Sequence, residues 1–112
     1  MRFFAWLKSR SSDRGKGMWL YKQGMAKAKK HDHQGAIDDY TATIDMEDIP
    51  PDVKAMALYN RAVVHAATGS NPKAVDDLNV VLAMAEPLDN VKTAARQKLK
   101  RMERRSSKTA PP

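Results

Sequence analysis

Adjacent carboxylates stand at Asp38-Asp39 and again at Asp76-Asp77, and paired carboxylates are the raw material of general acid–base catalysis. On a helix, however, neighbouring side chains diverge by about 100°, so neither pair shares one site. Both pairs are expected to face solvent. His31 and His33 flank Asp32 and could hold a metal through imidazole nitrogens, yet no third ligand stands at a suitable spacing. That segment reads as a solvated turn, and no metal or other cofactor is predicted. His65, on an otherwise apolar stretch, reads as a helix-packing residue. The serines lie in the ends and in one turn, without a histidine and acid placed to activate them, and there is no phosphate loop, dinucleotide fingerprint or zinc-protease pattern. Catalysis is not expected. What remains is the chemistry of binding, carried by Met, Tyr, Lys, Arg and Asn at helical spacings.

The elements that would carry these side chains repeat. Ala36-Ile37-Asp38-Asp39-Tyr40 with Ile44 is echoed 38 positions later by Ala74-Val75-Asp76-Asp77-Leu78 with Leu82, and upstream Met18, Leu20, Tyr21 and Ala28 are echoed by Met56, Leu58, Tyr59 and Ala66. The unit is a helix-turn-helix used twice. Met18, Tyr21, Met25 and Ala28 recur at steps of three and four, and Trp19, Leu20 and Ala26 widen the stripe, which predicts a largely buried first helix over about 18–30. The second is expected from Gly35 to about Met46, ending before Pro50-Pro51. Asp52 is the expected N-cap of a third helix over about 53–68, stopped by Gly69. Asn71 and Pro72 open the fourth, and a fifth spans about 89–105 with Val91, Ala94, Ala95, Leu99 and Met102 on its apolar side. The expected fold is all-α, five helices in antiparallel pairs. Residues 1–16 read as a flexible basic and aromatic segment, and 106–112 as a disordered tail.

Charge is segregated. Residues 1–30 carry a net +8, residues 31–90 a net −8 and residues 91–112 a net +7, giving +7 over 112 residues. This suggests surfaces of opposite sign, not a uniform polycation. Cysteine is absent, which excludes disulfides and thiolate metal sites. The run Phe3-Phe4-Ala5-Trp6-Leu7 is too short for a secretory core or a membrane span, so a cytoplasmic protein is expected.

With Leu58-Tyr59-Asn60-Arg61-Ala62, Gly69, Ala74-Val75-Asp76-Asp77-Leu78 and Pro87 in one unit, and Leu20, Gly24, Ala36, Tyr40 and Ile44 in the other, the chain resembles a tetratricopeptide-repeat protein. The resemblance covers residues 17–105: repeat 1 over 17–50, repeat 2 over 52–87 and a capping helix over 89–105. It departs at Lys27 and His65, where the family favours an aromatic, and in the extra residues of Glu47 to Pro51, which stretch the period from about 34 to 38. Such units do not bury their apolar faces alone, and about three stacked repeats are the usual minimum. The fifth helix, a second copy of the chain, or a larger context must close the open end.

The resemblance implies that the first helix of each unit lines a concave groove, which places Met18, Tyr21, Lys22, Met25 and Lys29 beside Met56, Tyr59, Asn60 and Val63. Tyrosine and methionine suit adaptable recognition, although the same stripe could be core covered by the fifth helix or the N-terminal aromatics. Some family members clamp a C-terminal carboxylate with Lys, Arg and Asn. Asn60 fits that pattern, but Tyr21 and Met25 replace the Lys and Asn it needs, so the clamp is not expected. The groove is expected to take a protein or peptide, with an acidic one favoured by nearby lysines and arginines. The alternative partner is nucleic acid or an anionic surface, met by the basic patch Lys92, Arg96, Lys100, Arg101, Arg104 and Arg105. The acidic middle opposes a polyanion. A membrane anchor formed by the short aromatic run would be weak.

Overall fold

The computed structural model describes residues 13–109, which form five helices and, among the described residues, no strand: α1 Asp13–Lys29, α2 His33–Ile44, α3 Pro51–Ala67, α4 Asn71–Ala83 and α5 Asp89–Thr109. Consecutive helices pack against each other, and α1 also touches α3, and α3 touches α5, whereas α2 and α4 do not meet. The odd-numbered helices therefore form an inner layer and the even-numbered ones an outer layer. This zigzag is the arrangement of an all-α helical repeat.

Several boundaries differ from the sequence expectation, each for a local reason. α1 starts at Asp13, so Gly15 and Gly17 are helical and are not linker. Arg14 explains part of this, because its guanidinium grips the Asp52 carboxylate with two hydrogen bonds of 3.0 and 2.7 Å. Gly17 explains the rest: a Cβ there would lie 2.3 Å from Ile49 Cδ1, so glycine serves as a contact surface for the Met46 to Ile49 loop. Asp52 is thus an interhelix partner and not the cap of α3, whose N-cap position is Pro50. The phenyl and indole side chains of residues 3–7 lie outside the described residues, as do residues 110–112.

The first helix ends close to the expected position, and the turn that follows is shorter than expected, made at His31 with α2 already under way at His33. His31 has a left-handed φ of 63°, its N–H donates to the Ala28 carbonyl at 3.0 Å, and the Asp32 N–H donates to the Lys27 carbonyl at 2.9 Å. These are the two bonds of a Schellman ending. Gly69, 38 positions on, repeats it with φ 84°, Ser70 N–H to the His65 carbonyl at 2.8 Å and Gly69 N–H to the Ala66 carbonyl at 3.3 Å. Asp32 then caps α2, accepting from the Gly35 N–H at 3.0 Å, which starts α2 two residues early at His33. In α4, Ser70 takes the cap position and Asn71 is already helical. α5 continues through Ser106 to Thr109, where a disordered tail was expected.

Two clusters make the core. Ala36, Tyr40, Ala57 and Val64 join α2 to α3, while Leu58, Ala62, Ala74, Leu78, Val81 and Ala95 join α3, α4 and α5. Ala36 and Ala74 are fully buried, and their small side chains let the paired helices approach closely. α1 contributes least. Its buried residues are two glycines, and Trp19 is 60% exposed, so the expectation of a largely buried first helix fails. The reason is position: α1 lies at one end of the described stack and touches only α2 and α3.

Candidate partner-binding face

The inner layer positions the expected groove residues. Lys22, Met25 and Lys29 are exposed on α1, with Met25 at 45%, while Met18, Tyr21, Met56, Tyr59, Asn60 and Val63 are half-buried. Tyr21 and Asn60 are brought together, since the Asn60 Nδ2–H donates to the Tyr21 hydroxyl at 2.7 Å across the α1–α3 joint. The Tyr21 ring also meets Tyr40 at a centroid distance of 6.0 Å. Burial raises the Tyr21 phenol, an effect opposed by the Asn60 hydrogen bond, and burial pushes Tyr40 up to about 12 with a smaller contribution from Tyr21. Both stay neutral donors in the physiological range. Tyr21 packs against the first cluster and Tyr59 against the second, so each tyrosine is part core and part surface. Met56 lines a cleft of about 260 Å³ with Asp52, Pro87, Leu88 and Val91.

The expected basic patch divides. Lys92 is drawn inward, its ammonium donating to the Met84 carbonyl at the C-terminal end of α4, so it serves the fold. Arg96, Lys100, Arg101, Arg104 and Arg105 remain exposed on α5. The outer face of α5 differs from that of α3. Leu58 and Ala62, the residues of α3 that help receive α4, have Arg96 and Lys100 as their counterparts 38 positions on. Charge thus stands on α5 where α3 is apolar.

Sequence reasoning missed Lys98. It stands 38 positions beyond Asn60, which itself stands 38 beyond Lys22, and it lines a cleft of about 320 Å³ with Ala66, Asn71, Met102, Arg105 and Ser106. Burial lowers its pKa, and Arg101 and Arg105 lower it further by like-charge repulsion. The signal was present in the 38-residue register carried into α5. No protein-family model, curated protein or solved structure matches the chain.

Asp77 was also misjudged. It is 6% exposed and bonded by both the Arg61 Nε–H at 2.8 Å and the Arg61 Nη2–H at 2.7 Å, while the Arg61 Nη1–H donates to the Thr41 hydroxyl at 3.0 Å. One guanidinium thus ties α2, α3 and α4. Asp39, at the equivalent place, is turned toward Lys27 at 2.9 Å, leaving Asp38 and Asp76 as the solvent-facing members of each pair. His65 is buried, and burial lowers its pKa, with Asp77 opposing and Arg61 and Lys73 adding to the effect. His31 and His33 meet edge to face at 5.9 Å, and no group of three metal-ligating side chains occurs among the described residues. No helix among them is long and apolar enough to cross a membrane.

Proposed function

We propose that the chain is a tetratricopeptide-like, non-catalytic interaction module of the cytoplasm, which holds an acidic segment of a protein partner along its inner helical layer. The observation that carries this reading is the row Lys22, Asn60 and Lys98, one residue from each odd-numbered helix in the same register, beside the parallel row Met25, Val63 and Arg101. Polar and cationic groups make one row, and the other runs from apolar on α1 and α3 to cationic on α5. Beside its burial, like charge at Arg101 disfavours the Lys98 ammonium, and an incoming carboxylate would offset that. Tyr21 and Tyr59 supply the aromatic edges of the surface, anchored from behind by the two clusters.

A second reading rests on a different observation, the exposed cations Arg96, Lys100, Arg101 and Arg104 along α5, and assigns nucleic acid or another polyanion to that helix. A capture experiment from the source-cell extract, washed at low and then high salt, separates the two. A protein retained through high salt supports the inner layer. Nucleic acid released by salt supports α5.

A further inference from the structure

Each inner helix has a face that receives the outer helix before it. On α3 that face centres on Ala57 and meets α2; on α5 it centres on Ala95 and meets α4, and both alanines are fully buried. The register is the same, 38 positions apart. Taken one step back, it falls on Trp19 of α1, which has no helix before it among the described residues and is 60% exposed. The rest of that face, Gln23 and Ala26, is exposed as well, and so are Lys16, Lys22 and Lys30 around it. None of these three lysines has an ion-pair partner among the described residues, and α1 contains a single acid, Asp13.

We propose that this end face of α1 docks an acidic amphipathic helix of a partner protein, which takes the place of a preceding outer helix. The direction follows from Lys92, whose ammonium binds the Met84 carbonyl at the end of α4. Its counterpart two periods earlier is Lys16. The incoming helix therefore runs antiparallel to α1, with its C-terminal carbonyls at Lys16 and its first turns beside Lys22 and Lys30. Glutamates in those first turns pair with the two lysines and also complement their own helix dipole. Opposite Trp19 the partner presents a small side chain, because the indole fills the space that alanine leaves at the other two joints. A second copy of the same face is disfavoured by like charge. Lys22 is shared with the inner-layer row, but Trp19, Lys16 and Lys30 are not, so a readout at Trp19 with substitutions at Lys16 and Lys30 tests this face apart from that row.

The test uses the full chain carrying Trp6→Phe, so that Trp19 is the only indole emitting. The probe is a stapled helical peptide of α4's length, 13 residues, with an alanine and leucine stripe and glutamates in its first two turns. Its saturating addition should shift the emission to the blue and cut acrylamide quenching several-fold. High salt, or Lys16→Glu with Lys30→Glu, should abolish both effects while the helical circular dichroism stays unchanged. The proposal is overturned if the glutamate peptide gives no protection, or if its lysine counterpart protects equally. It is also overturned if Trp19 is already shielded in the free chain, if shielding grows with protein concentration alone, or if phosphatidylserine vesicles shield it and the peptide does not.

Discussion

The two repeats solve one geometrical problem with different residues. Where the helices of each pair cross, the first repeat sets Gly24 against Tyr40 and the second sets Ala62 against Leu78. A smaller residue on one helix is matched by a larger one on the other, which keeps the crossing filled. The turn is left-handed in both, at His31 in one and at Gly69 in the other. The buried aspartate position is occupied in both as well, but Asp39 is served by Lys27 at the rim, whereas Asp77 is served by Arg61 one turn earlier, with His65 standing where Lys27 would be. The period fixes what each position must do, and the side chain that does it is negotiable.

The largest consequence of this difference lies in the ion pairs. The Arg61 and Asp77 side chains are 20% and 8% exposed, whereas Lys27 and Asp39 are 41% and 17% exposed. Arg61→Met strands a buried carboxylate and should cost about 3 kcal/mol in urea unfolding. Lys27→Met should cost clearly less, because solvent screens a rim pair. Equal losses from the two substitutions would show that the repeats carry the pair equivalently, against the burial difference.

Next comes the crossing. A Cβ on Gly24 would lie 2.6 Å from Tyr40 Cε1, so Gly24→Ala should destabilise by about 1–3 kcal/mol. Adding Tyr40→Leu, which copies the second repeat, should recover part of that loss. If the double variant is no better than the sum of the single ones, the crossings are not interchangeable.

The turn gives a gain. His31 holds a conformation that costs a residue with a Cβ roughly 1–2 kcal/mol, so His31→Gly should raise the thermal midpoint, and Gly69→Ala should lower it by a similar amount. A His31→Gly protein that melts lower would mean that the His31–His33 ring contact outweighs the backbone strain.

The smallest effect is that of pH. Burial holds the His65 pKa below its ordinary value, so the unfolded chain binds the proton more readily than the folded one. Stability contributed by neutral His65 is present above about pH 6.5 and is lost as the pH falls below it. The melting temperature should therefore drop between pH 7.5 and 5.5, and less so in His65→Gln. An unchanged slope in that variant would place the titration elsewhere.

Much of this comparison was legible in the sequence because the 38-residue echo fixes register, and register fixes which residues meet. Ala36 and Ala74 at the crossings and Tyr40 and Leu78 in the clusters follow from the repeat and the resemblance it carries, and the opening of α4 near Asn71-Pro72 follows from turn chemistry, with the cap one residue earlier at Ser70. Burial was not legible where it depends on having a neighbour. Trp19 has the same period as buried Ala57 but is exposed, with no helix before α1 among the described residues. Asp77 looked like surface because its partner sits 16 residues away on another helix, a distance local patterns do not report. Gly17 was hidden by residue type, because a glycine that reads as linker is a contact; His31 reads correctly as turn, but its left-handed backbone has no signal in a histidine. At the candidate site, Lys22, Met25 and Asn60 came from the repeat, while Lys98 was missed because the register was not continued into α5.

The most direct test of the binding account is capture from the source-cell extract with the tagged full chain, comparing wild type with Met25→Glu plus Arg101→Glu on the inner layer and with Val80→Glu on the outer one. Met25 and Val80 are similarly exposed, at 45% and 46%, so the comparison isolates location from exposure. The account predicts a protein that survives the high-salt wash on wild type and Val80→Glu and disappears from the inner-layer variant, with circular dichroism unchanged in all three. A captured protein indifferent to the inner-layer substitutions, or only nucleic acid that salt removes, would contradict it.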